Sequence, residues 1–332
     1  MYKLFDAHSD LFEDVDEKRQ RGLTQIIRTF HAGKWTAGGC IGGFCPIWVD
    51  PFCEVYSMPV EEQAQRILMH MNEELSECGD IACIVKDSSE YEAAVSSGRH
   101  AIITGTEGLS FLHGDWGKLD MLYDIGMREF SLTWNETNEF AGGAGGDPST
   151  GLSSAGIKCV RKIRELGAIL DLAHASKATF FVAVSIIDGP FMVSHGNIAH
   201  LYEHPRNLTD EQLRIVRDHN GVLGISAYAP FLSADPAKWT VATMCDNIEY
   251  AAEIAGIDHV GLGFDLVDFL DDVGTDASIS DSVAGFESIA CAQNIAKELE
   301  KRGFSEQDIC KVFHDNYLRL IKCVTGDGSN VI

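Results

Sequence analysis

"KLFDAHSD", residues 3–10, begins as an apolar run and ends on an imidazole between two carboxylates. Leu4 and Phe5 read as buried strand. His8 and Asp10 follow two residues apart, and side chains at i and i+2 of a strand face the same way. An imidazole nitrogen and a carboxylate oxygen aimed at one point are donor types that zinc accepts. Alone, His-x-Asp also fits a hydrogen-bonded histidine followed by a capping aspartate. Its meaning depends on what the rest of the chain sets beside it.

Outward from that stretch the sequence alternates. Short apolar or β-branched runs end in Gly, His, Asp or Glu, and amphipathic stretches follow them. The runs are Lys3–Ala7, Gly39–Ile47, Ala101–Gly105, Glu129–Thr133, Ala168–Leu172, Phe191–Ser194, Gly221–Ser226 and His259–Gly263. Between them, residues 59–79 start on Pro59 and stop at Gly79, as helix termini prefer. Residues 152–167 offer Ser153 as a cap, an apolar face of Ile157, Val160 and Ile163, and Gly167 as a stop. Residues 208–221 carry a capping box, Thr209 with Gln212. Residues 240–256 and 285–303 follow the same scheme, and 305–324 read as one further helix. Eight β-α repeats predict an α/β fold, a single (β/α)8 TIM barrel spanning 1–332, with an extra C-terminal helix. Glu13–Ala37 is a long, lid-like insertion between the first strand and the second. An open doubly wound sheet is the competing fold. It needs a Gly-rich phosphate turn after the first strand, and "DAHSDLFED" is not one.

The chain has 332 residues, 45% hydrophobic and 23% charged, which allows a large core. A net charge of −24 argues against nucleic acid or an anionic membrane as partner. The N-terminus shows no signal-peptide pattern, and no apolar run approaches the roughly 18 residues that span a bilayer. The ten cysteines contain no C-x-x-C, so reduced thiols and a cytoplasmic location are expected. Most read as small core residues, and Cys40 beside Gly39 and Cys45 beside Pro46 are the two considered for a place near a site.

Barrel enzymes gather their chemistry at the C-terminal ends of the strands. There stand His8 and Asp10, Glu107 in "TEGLS", Trp134 and Asn135 in "LTWNETN", His174 in "LDLAH", His195 in "VSHG" and Asp265 in "GFDLVD". Three histidines and two carboxylates exceed the three protein ligands of a single catalytic zinc. They suit two metals sharing a carboxylate. Glu107 is the candidate bridge, with His8 and Asp10 on one metal and His174 and His195 on the other. His31 and His113 lie in segments within reach of the same rim. His70, His100, His219 and His259 fall on helices or helix ends, where solvated side chains are the default.

With these residues assembled, the chain resembles the membrane dipeptidase (renal dipeptidase) family of metallopeptidases, within the amidohydrolase-like barrels. The resemblance runs through "DAHSD", "GGCIGGFCP", "TEGLS", "GMREFSLTWNETN", "LDLAHAS", "VSHGN", "HPRNLTDEQL", "VGLGFDLVD" and "DNYLRL". It implies a binuclear centre of two zinc ions per chain, ligated by His8, Asp10, Glu107, His174 and His195, with Glu107 bridging. Arg206 falls on the arginine that binds the substrate carboxylate, and Asp265 on the aspartate that handles protons. Catalysis would then rest on Asp265 and Glu107, and substrate contact on Arg206, Trp134 and Asn135. The family often reads Leu-Thr-His where this chain has Leu132-Thr133-Trp134. An indole offers one N–H donor and cannot shuttle a proton. Asn135 and Asn138 follow in the same loop, and their amides are the expected substitutes.

The expected function is hydrolysis of dipeptides by a metal-bridging hydroxide. The partners are a small-molecule substrate and, by resemblance, a second copy in a homodimer. A metal-dependent amidohydrolase acting on an N-acyl amino acid or a lactam is the alternative within the class. A single-metal barrel lyase or isomerase, and a non-catalytic binding protein, are the alternatives outside it.

Overall fold

A computed structural model describes residues 1–52, 58–269 and 282–326. Eight parallel strands follow one another round a nearly closed barrel: β1 (Leu4–Asp6), β2 (Cys40–Trp48), β4 (His100–Glu107), β5 (Glu129–Ser131), β6 (Ile169–Asp171), β7 (Met192–Gly196), β8 (Val222–Ile225) and β9 (Val260–Leu262). The last strand returns to the first through the Ala7 N–H, which donates to Leu262 O at 2.9 Å. Each of the eight runs read from the sequence overlaps one of these strands, and β2, β4 and β7 extend past the run that marked them.

A ninth strand, β3 (Ala82–Ile84), was not legible. It pairs with residues 100–102 at the start of β4, while β5 pairs with Gly105 and Thr106 further along the same strand. Three residues are too few to show a period of two, and β3 fills a gap below the short β5 rather than adding a stave.

Several helices that clothe the barrel begin where their caps predict, whereas the stretch read as helix over 285–303 is regular helix only over Gln293–Lys301. Ser153 Oγ accepts from Gly156 N at the start of α6 (Ser154–Glu165), and Thr209 and Gln212 close a capping box on α8 (Asp210–Asp218). The C-terminal helix is continuous through α11 (Glu306–Cys310), a π turn over Lys311–Asp315, and α12 (Asn316–Thr325).

The insertion after β1 is helical: α1 (Leu11–Gln20), a π turn over Ile27–His31, and α2 (Ala32–Gly38). It packs against β2 and the helix over residues 60–77, and it also reaches the loop after β9, where Lys18 Nζ donates to Phe269 O at 2.8 Å and Lys34 pairs with Asp268. Buried carboxylates fix it there. Glu74, on α3 (Val60–Glu77), accepts from Arg19 Nη2 at 2.8 Å and from Ile27 N at 2.9 Å. Asp16 binds Arg66 and His70, and Asp14 binds Lys18 and His31. His31 and His70 are thus structural. His100 is no solvated histidine either: it is buried, stacked on Trp35 at 3.8 Å, and burial pulls its pKa down to about 3. His113 pairs with Glu61 on the surface. Cys40 and Cys45 are buried in the core, and burial pushes both thiols well above their ordinary range. The nine described cysteines are unpaired, and no described helix is long and apolar enough to cross a membrane.

Candidate metal centre

Parallel strands deliver all their C-terminal ends to one rim, and the five ligand candidates arrive there from four of them. His8 and Asp10 stand just past β1, Glu107 ends β4, His174 lies just past β6, and His195 sits within β7. All five are buried. Their donor atoms converge in overlapping trios: His8 with Asp10 and Glu107, Glu107 with His174 and His195, and His8 with His195 and Asp265, each within 4.8 Å. Glu107 belongs to two trios. Its Oε1 lies 2.6 Å from His174 Nε2, and its Oε2 lies 3.6 Å from His8 Nε2. His8 Nε2 lies 3.4 Å from Asp10 Oδ1.

His174 Nδ1 meets Asn135 Oδ1 at 3.0 Å, so its N–H faces away from the centre and its Nε2 lone pair faces in. His174 Nε2 lies 3.0 Å from His195 Nε2 and 2.6 Å from Glu107 Oε1, so the two ring nitrogens and the carboxyl oxygen converge on one point. His8 Nε2 is buried without a hydrogen-bond partner. Burial, with Asp10 and Asp265 nearby, pushes Glu107 up to about 8. Burial also raises Asp265 and pulls His174 and His195 well below their ordinary value. Burial lowers His8 too, but Glu107, Asp10 and Asp265 outweigh it and hold His8 well above its usual range. Neutral imidazoles at His174 and His195, and acidic groups crowded around His8, are donor chemistry suited to divalent zinc.

Asp265 follows β9 in a left-handed backbone conformation, φ 56°, with its N–H on His8 O at 3.3 Å. Aspartate is one of the few residues besides glycine that adopt this conformation readily, and here it aims the carboxylate at the centre. Its oxygens reach His8 Nε2 at 3.9 Å and His195 Nε2 at 4.0 Å.

A cavity of about 470 Å³ opens on these groups. Asp10, Glu13, Glu107 and Asp265 line its acidic part, and Trp48, Trp134, Tyr228 and Phe231 its aromatic part. Arg206 also lines it. Its Nε donates to Ala173 O at 3.0 Å, its guanidinium sits 5.2 Å from the Phe231 ring, and its buried Nη2 has no hydrogen-bond partner. Trp134 packs edge-on to Trp48 at 5.4 Å and stands 6.2 Å from the His174 ring. Asn135 lines the cavity too, but its carbonyl is engaged by His174. Asn138 is spent inside its loop: it donates to Leu132 O and accepts from Phe140 N and Ala141 N. It is not free to meet a substrate.

Two residues around the centre went unread in the sequence. Asp6 Oδ1 accepts from Phe264 N at 2.9 Å and His8 N at 3.3 Å, tying β9 to β1 under the ligands, and burial pushes Asp6 up to about 7. It shares the face of His8 and Asp10 by parity, a signal already present in "FDAHSD". Glu13, three residues past Asp10 on α1, lines the cavity, where a helix start alone gave no such indication.

The model of one protein family, membrane dipeptidase (peptidase family M19), matches residues 1–328. The chain is similar to dipeptidase aclJ of Aspergillus oryzae, 31% identical over 229 residues, covering 68% of this chain and 52% of that protein. It is also similar to an uncharacterized dipeptidase of Schizosaccharomyces pombe, 32% identical over 232 residues, 68% and 54% of the two. The chain therefore spans about half the length of these relatives. Among solved structures it is similar to a metallo peptidase from Rhodobacter sphaeroides liganded with a phosphinate mimic of L-Ala-D-Ala, with TM-score 0.85, 20% identity and coverage of 97% and 99%. The dipeptidase AC, also of family M19, gives TM-score 0.85 at 21% identity, covering 98% and 99%. At these identities the likeness to solved structures is one of fold.

Proposed function

Since the chain belongs to the membrane dipeptidase family, we propose that it is a binuclear metallo-dipeptidase whose metal is zinc. The observation that carries this is the position of Glu107, whose two oxygens face two separate sets of nitrogen and oxygen donors. His8 and Asp10 would hold one ion, His174 and His195 the other, and Glu107 both. When bound, such a pair supplies Lewis acidity and a nucleophilic water at neutral pH.

The chain's own groups do the rest. Arg206 offers a buried, unsatisfied Nη2 to the carboxylate at the C-terminus of the substrate, while its Nε is anchored on Ala173 O. Phe231 holds the guanidinium plane in place. An anchor this near the rim leaves room for one residue beyond the scissile bond, which favours dipeptides over longer chains. Asp265 takes up a proton on its carboxylate and returns it to the leaving amine. Trp134 and Trp48 narrow the cavity around the acyl side. The whole of 1–332 is read as one such domain. A cytoplasmic homodimer completes the proposal: the unpaired thiols support the compartment, and family resemblance alone supports the dimer.

The test is a dipeptide panel, with L- and D-residues at the C-terminal position, assayed before and after chelation and after zinc is restored. Hydrolysis of free dipeptides that chelation abolishes and zinc restores supports the proposal. Activity confined to N-acyl amino acids or lactams replaces it with the amidohydrolase alternative.

A further inference from the structure

β6 and β7 share a buried hydrogen-bond relay that the chemistry above does not use. Asp171 Oδ1 accepts from the backbone N–H of Ala173 at 3.1 Å and of Ser194 at 2.9 Å. Its Oδ2 lies 2.5 Å from Ser194 Oγ, and Ser194 Oγ lies 2.9 Å from His195 Nδ1. Asp171, Ser194 and His195 are all buried.

Neighbours in a regular strand point to opposite faces, so contact between Ser194 Oγ and the next ring requires a distortion. The register of β7 against β8 shifts between Val193 and Gly196, which is such a distortion. Gly224 and Gly263 make it possible, because a Cβ at either would overlap Ser194 O. The bulge turns His195 to the centre and keeps its Nδ1 on the relay.

A hydroxyl carries one proton. Asp171 already receives two N–H groups on Oδ1, and as a carboxylate it has no proton to give. Burial raises both Asp171 and the neighbouring Glu129, but the two N–H groups on Oδ1 and the Ser194 hydroxyl on Oδ2 favour the ionised form of Asp171. Ser194 O–H therefore donates to Asp171 Oδ2, and Ser194 Oγ accepts from His195 Nδ1–H. That leaves a lone pair on His195 Nε2, the atom facing His174 and Glu107.

We infer that Asp171 and Ser194 are positioning residues that lock His195 in its Nδ1–H tautomer, so that Nε2 is the nitrogen presented for ligation. The consequence for metal binding rests on the metallo-dipeptidase reading. In the metal-free protein the relay acts against the 3.0 Å contact with His174 Nε2, which a proton on His195 Nε2 would turn into a hydrogen bond, so the tautomer found there measures the strength of the lock.

Asp171→Asn should reverse the relay rather than merely weaken it. The new amide must keep its oxygen on the two backbone N–H groups, which sets its NH2 against Ser194 Oγ. Ser194 then donates to His195 Nδ1, and the ring proton moves to Nε2. The same logic makes an Asp-to-Asn change in a catalytic triad select the wrong tautomer. Ser194→Ala removes the relay without reversing it.

The experiment is 15N NMR of the histidine-labelled, metal-free full chain, paired with zinc affinity measured by competition against a chelating dye. His195 is expected as Nδ1–H in the native protein and as Nε2–H in Asp171→Asn. Zinc binding at one site should weaken by on the order of 10–100-fold in both variants. An Nε2–H or mixed tautomer in the native protein overturns the inference. So does an Asp171→Asn variant with unchanged tautomer and zinc affinity. If Asp171→Asn does not fold, Ser194→Ala decides by the same two readings. A native protein with a locked tautomer that binds no zinc sinks the metallo-dipeptidase reading and leaves the lock standing.

Discussion

Arg206 Nη2 is a buried donor with no acceptor, a state worth avoiding unless a ligand completes it. Arg206→Ala should raise KM for dipeptides with a free C-terminus by about 10–150-fold, the worth of one charge-assisted bond of about 1.5–3 kcal/mol. C-terminally amidated analogues should change far less, and equal losses on both would remove Arg206 from carboxylate binding. Trp134 stands in the cavity beside His174, where the family often carries histidine. Trp134→His is expected to raise kcat on a simple dipeptide and lower it on the native substrate. An unchanged profile on both would make the indole a packing residue only. Ligand-type side chains at strand ends were legible because their chemistry is in their names. Asn135, Ser194 and Asp171 were not read for the roles they take here. Asn135 turns the His174 ring, and Ser194 and Asp171 act on His195 across a strand pair, through contacts that no linear spacing records.

The elements carry their own constraint at β7. Its bulge is accommodated by Gly224 and Gly263, and an added methyl group at either meets backbone, which cannot rotate away. Gly263→Ala should cost roughly 1–3 kcal/mol or more by overpacking, read as a lower melting temperature and weaker zinc retention. Unchanged values for both would mean that the bulge has room to spare. Strand positions were legible from apolar runs, and α6 and α8 from their caps. The segment over Glu13–Ala37 was not, because its buried charges, Asp14, Asp16 and Arg19, read as solvent-facing until their partners on α3 and at His31 come into view. β3 escaped because it is three residues long and only patches β4.

At the scale of the whole molecule, the barrel concentrates buried acids that the metal-free protein must protonate. Glu107 is pushed up to about 8 and Asp6 to about 7, each by burial first. Raised carboxyl groups contribute stability below their unfolded pKa and lose it as pH rises through the folded value. The depressed His174 and His195 act oppositely, but only up to about their ordinary 6.5. Between roughly pH 7 and 8 the acids therefore dominate, and the metal-free protein should melt at lower temperature as pH rises. Zinc-loaded protein should not, because metal holds the carboxylates ionised. A metal-free melting temperature that climbs through this window would contradict the buried-acid picture. The barrel itself was legible from the eightfold alternation, since β-α order dictates a parallel sheet. The most direct measurement is zinc titration of the metal-free chain to saturation, followed by elemental analysis, on the native protein and on Glu107→Gln. Two ions per native chain, and fewer than two with no dipeptide hydrolysis in the variant, are the expected result. One ion or none in the native protein, or a Glu107→Gln variant with full metal and full activity, would contradict a centre built on a shared Glu107.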